Sequence, residues 1–92
     1  MNARASFTDT LTDPHAAIED VGASIFGTAT YTVSSEYIDG PEYFGTEWTA
    51  HLVHMWSEGR RYPRAHLVRK FSEAHVEGIE RAFGEHLAEC GV

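Results

Sequence analysis

Cysteine occurs once, as Cys90. The chain can therefore close no internal disulfide and offers at most one thiolate to a metal, so neither disulfide redox nor a structural zinc centre is expected. Long apolar runs are missing as well: none exceeds three residues. No segment reads as a membrane-spanning helix or as the apolar stretch of a secretion signal, which places the protein in the cytoplasm. Positive charge is scarce. Seven Lys and Arg face fourteen Asp and Glu, for a net charge of -7. That balance argues against general affinity for nucleic acid or an anionic membrane, both of which require a positive surface to displace counterions. A glycine-rich phosphate loop, a paired nucleophile and an acid cluster are all absent, so nothing marks a catalytic centre, and no cofactor is expected.

What the chain does have is enough apolar material to fold. Its 92 residues are 42% hydrophobic and include two Trp, four Tyr and five Phe, ordinary for a globular domain and too rich for a disordered tail. A chain of this length buries only about 60 to 65% of its unfolded surface, so contact with a partner would help it. The few cations are also unevenly placed. Arg60, Arg61, Arg64, Arg69 and Lys70 stand in the acid-free stretch RRYPRAHLVRKF. Such segregation can hold an acidic protein surface or a small anionic ligand that the net charge would repel, or it can simply keep an edge strand from pairing with stray strands. The glutamates of the last helix are expected to answer part of this field internally.

Residues 1–12 carry no period and read as an N-terminal arm, with residues 13–92 forming a single domain. Asp13-Pro14 looks like a helix start, because Asp can cap free amides and Pro tolerates the first helical position. Ala17, Ile18, Val21 and Ile25 then fall at helical spacing, and Gly27 can end a helix with positive φ, so a helix is expected over 14–26. Residues 28–38 alternate Ala29, Tyr31, Val33 and Tyr37 against threonines and serines, as a half-buried strand does. A turn at residues 39–42 follows. Residues 48–56 fit a helix or a strand equally well. Glu58-Gly59, suited to a two-residue hairpin, favours strand, as does the alternation of Pro63, Ala65, Leu67, Arg69 and Phe71 beyond it. Ser72 reads as the cap of a last helix running to about Glu89, with Phe71 and Val76 as its hydrophobic staple. Gly78 and Gly84 inside that helix each cost about 1 kcal/mol relative to Ala. They mark either close backbone packing or tolerated drift.

The fold class expected is therefore α+β, in the order α-β-β-β-α, with a three-stranded antiparallel sheet and both helices on one face. This order is similar to that of double-stranded RNA-binding domains. Those domains grip phosphates partly through a basic cluster at the start of their final helix, where this chain has Ser72-Glu73-Ala74-His75; carboxylates there repel a phosphate backbone, so RNA is not expected as a partner.

The Glu58-Gly59 turn would pair Met55 with Tyr62, Val53 with Arg64, and His51 with His66, and would send Trp48, Leu52, Trp56, Leu67 and Phe71 to the core. The open face would then carry His51, Val53, Met55, Tyr62, Arg64, His66 and Val68. Apolar residues around histidines and a cation suggest a contact surface, and a second copy of the chain is the commonest partner for a small domain. A homodimeric binding or regulatory protein is the leading expectation. The alternative is a small enzyme or binding protein that turns His51, His66, Arg64 and Tyr62 on an anionic metabolite. His51 and His54 form an HxxH pair, but on a regular strand they point to opposite faces, so no metal site is expected.

Overall fold

A computed structural model describes residues 6–41 and 44–89. Cys90 lies outside them. The elements are β1 (Ser6–Asp20), β2 (Ala23–Asp39), β3 (Phe44–Ser57), β4 (Arg60–Pro63), α1 (Arg64–Phe71) and α2 (Glu73–Glu89). The class is α+β, with an antiparallel sheet and two helices. The sheet has four strands rather than three, in the order β1-β2-β3-β4, and all the strands precede the helices. The likeness to RNA-binding domains in element order therefore falls away.

Two segments depart from the expected elements. Residues 14–26 are not a helix. They form the end of β1, a two-residue turn at Val21-Gly22 and the start of β2, with Ile18 opposite Ile25. Gly22 supplies the positive φ of 77°, and the Asp20 carboxylate accepts the Val21 amide at 2.7 Å. A register shift between Asp13 and Ala16 absorbs Pro14 and His15 as a bulge. The helical spacing of Ala17, Ile18, Val21 and Ile25 is thus fortuitous: Ile18 and Ile25 are buried partners across the hairpin, while Ala17 and Val21 are exposed. Residues 6–12, read as an arm, pair with β2 from Ser6↔Glu36 to Thr12↔Thr30.

The second departure lies after the Glu58-Gly59 turn. The turn itself is as expected: both residues have positive φ (52° and 75°), the geometry of a type I′ hairpin, and Met55 pairs with Tyr62. Pairing stops at His54↔Pro63, and Arg64–Phe71 coil into α1. Pro63 ends the strand because it cannot continue the ladder, and it starts the helix because its extended conformation (ψ 159°) serves the N-cap position. Leu67 and Phe71, four residues apart, fit a helix face as well as a strand face, and both are buried. The anticipated pairs Val53 with Arg64 and His51 with His66 do not form.

Ser72 separates the helices with φ 107°, and its Oγ accepts the His75 amide at 3.3 Å, the expected cap of α2. Buried residues of the strands (Ala16, Ile18, Ala29, Tyr31, Val33, Leu52, Met55) and of the helices (Leu67, Phe71, Val76, Leu87) form one cluster on one sheet face. The molecule is long, 49 × 23 × 21 Å, with a radius of gyration of 15.0 Å against about 12 Å for a compact chain of this size. At about 1.5 Å per residue, the 17 residues of α2 span only half that length.

Gly27, expected to end a helix, lies inside β2 where β3 passes so close that a Cβ would overlap the Trp56 carbonyl. Its neighbour Phe26 accepts the Ser57 hydroxyl at 2.7 Å through its carbonyl. Gly27→Ala should force the two strands apart and lower stability by about 3 kcal/mol or more, read as a shift in the urea midpoint; an unchanged midpoint would refute this close approach.

Candidate functional site

The seven residues expected on one open face are divided by a bulge. Tyr31 pairs with Leu52 and Thr30 with His54, so Val53 is one residue too many in β3. Because side chains alternate with period two, an extra residue inverts every position after it. Before the bulge the expected facing holds: Leu52 is buried, His51 sits opposite Thr32 on the outer face, and Val53 is 38% exposed. After it the facing reverses. Met55, expected outside, is fully buried, and Trp56, expected in the core, is 46% exposed opposite Thr28.

Tyr62 follows Met55 to the helix-covered face, and with Val68 it packs against the core. The Tyr62 and His66 rings lie 5.4 Å apart there. Arg64, at the first turn of α1, points to Glu80 and not to the outer face. Only His51 and Val53 of the seven remain outside. The inversion also places His54, opposite Thr30, on the same face as His51. No group of three or more metal-ligating side chains occurs among the described residues.

The outer face gains two aromatics that sequence reasoning missed. Phe26, opposite Ala17, is 57% exposed, and Trp56 stands edge-on to His54 with ring centroids 6.1 Å apart. Glu19 of β1 and Arg61 of β4, paired with Ser24 and Trp56, flank these rings on opposite sides. The sheet thus presents an acid on one border, an apolar centre and a base on the other.

The strongest polar arrangement lies at the β3 edge. β4 covers β3 only from His54 onward, which leaves the earlier part of that strand without a strand neighbour on the side away from β2. α2 runs along this edge, and Gly84 lets it approach: a Cβ there would sit 3.3 Å from the Trp48 carbonyl and 4.0 Å from the Ala50 amide. Close backbone packing is therefore the reading that holds for Gly84, while Gly78 has open space around it. One helical turn earlier, the Glu80 Oε2 accepts the Leu52 amide at 2.6 Å. Arg64 grips the same carboxylate with Nε to Oε2 and Nη2 to Oε1, both 3.1 Å, and His51 Nδ1 lies 3.5 Å from Oε2.

Burial opposes ionisation of Glu80, but the Arg64 hydrogen bonds, the Leu52 amide and the charge of Arg64 outweigh it, so its pKa lies below the ordinary value. The hydrogen bonds to Glu80 likewise raise that of Arg64. With its guanidinium engaged, Arg64 is not presented to an anionic metabolite. Arg69 and Lys70 occupy the last turn of α1, where they complement the helix dipole.

The chain matches no known family, no curated protein and no solved structure. Among the described residues, no helix is long and apolar enough to cross a membrane.

A depressed folded-state pKa stabilises the protein above the carboxyl group's unfolded pKa, and that contribution fades as pH falls through the lower folded value. Glu80→Ala should cost about 2–3 kcal/mol at pH 7, because it strands a buried amide and a partly buried guanidinium. Thermal melts at pH 7 and pH 3 check this. The loss between wild type and Glu80→Ala should shrink at the lower pH, and an equal loss at both would contradict the ionised pair.

Proposed function

We propose that this chain is a cytoplasmic homodimeric binding or regulatory protein and that the outer sheet face is its contact surface. The observation that carries this reading is the exposed pair Phe26 and Trp56, with Val53, His51 and His54 on the same side, opposite the face that packs on the helices. Aromatic residues at this exposure are typical anchors of protein contacts.

A second copy is the partner favoured by charge. With a two-fold axis in the plane of the contact and at right angles to the line from Glu19 to Arg61, oblique to the strands because Glu19 lies level with Ser24 and Arg61 with Thr28, the acidic border of one copy meets the basic border of the other over the apolar centre. Glu19 then faces the Arg61 of its mate, and the Phe26 and Trp56 rings meet across the axis. The elongated sheet supports the same idea, since pairing two such faces would supply the second layer that a short chain lacks. Function on this reading is association rather than catalysis.

Light scattering over a range of concentrations tests the proposal. The wild type should be a dimer at micromolar concentration and Trp56→Glu a folded monomer, while Glu19→Arg should weaken the dimer at least tenfold and Glu19→Arg combined with Arg61→Glu should recover part of it. A wild type that stays monomeric at high concentration, or a dimer indifferent to Trp56→Glu, would overturn it.

A further inference from the structure

A cavity of about 400 Å³ opens on the opposite side of the sheet, between the β1 bulge and the second half of α2. Its volume falls within the range of small-molecule sites. Pro14 and His15, bulged out of register, line it, and beside them Asp13 Oδ1 accepts the His15 amide at 3.0 Å. The floor is aromatic. Tyr31 and Phe83 stack with centroids 4.2 Å apart and an interplanar angle of 9°, and His86 leans on Phe83 at 6.3 Å. The rim is polar, with Asp13, His15 and His86 among the lining residues and no Lys or Arg. Burial, with the charges of Asp13 and Glu80, pushes the Tyr31 phenol up to about 12, so it stays a neutral donor.

We propose that this cavity is a binding site for a small organic cation, an ammonium or amidinium group joined to a flat apolar body. The cationic end meets the Asp13 carboxylate, whose second oxygen has no partner among the described residues, and the body lies against Tyr31 and Phe83. A net charge of -7 draws cations toward the surface, and an anion would meet Asp13 with no cation beside it. The site is on the helix-covered face, away from the proposed dimer contact, so it stands or falls independently of that contact.

Benzylammonium serves as the probe, with benzyl alcohol as its neutral isostere and benzoate as the anionic one, titrated at pH 8 while the amide resonances of Ala16 and Ala82 are followed by NMR. Benzylammonium should shift both resonances saturably in the millimolar range, with benzyl alcohol at least tenfold weaker and benzoate without effect. Asp13→Asn should weaken the cation at least tenfold. Ala82→Phe, a change at an exposed helical position that fills the cavity, should abolish binding while leaving the melting temperature nearly unchanged. Absence of saturable shifts with the cation, equal binding of benzoate, or binding that survives both substitutions would overturn the assignment.

Discussion

A carboxylate stands where a neighbouring strand would otherwise be. β3 is 14 residues long but β4 only four, so most of one β3 edge needs hydrogen-bond partners from elsewhere. Glu80 meets that need at Leu52, beside the bulge where the ladder changes phase. Because the same carboxylate takes two hydrogen bonds from Arg64, one group ties together the β3 edge, the start of α1 and the middle of α2. Removing any of the three leaves a polar group short of a partner, which is why the contact holds the helices in place and does not merely decorate the surface.

That arrangement makes the basic stretch less of a unit than its sequence suggests. Arg60 and Arg61 belong to a hairpin, Arg64 to an internal ion pair, and Arg69 and Lys70 to a helix end. Strand, turn and helix send neighbouring cations in different directions, and only Arg61 contributes to the face with the exposed aromatics. The two sides of the sheet consequently differ in chemistry: an outer side with aromatics between opposite charges, and an inner side where a cavity lies between the β1 bulge and stacked rings.

The parts of the fold that were legible in the sequence rest on local chemistry. Glu58-Gly59 specifies its turn through backbone conformation, the 28–38 alternation specifies a strand with one face buried, and Ser72 caps a helix wherever that helix packs. The helix after Pro63 was not legible because Leu67 and Phe71 satisfy both periods, and the segment 14–26 was not because Ile18 and Ile25, paired across a tight turn, stand seven residues apart, the spacing of two helical turns. Of the candidate face, only His51 and Val53 were legible, because α1 takes Arg64, His66 and Val68 off the sheet and the β3 bulge reverses Met55 and Tyr62. A bulge at Val53 leaves no mark in composition, yet it exchanges Met55 for Trp56 and turns His54 outward. Glu80 escaped notice too, since one glutamate among several on a wet-looking helix reveals its role only when the facing strand edge is known.

Hydrogen exchange at the Leu52 amide tests this account most directly. If the Glu80 carboxylate occupies that edge position, the Leu52 proton should be as protected as that of Tyr31 in the sheet interior, and Glu80→Gln should speed its exchange more than that of Tyr31. Exchange of Leu52 in the wild type as fast as at an open strand edge, or protection unaffected by the substitution, would contradict it.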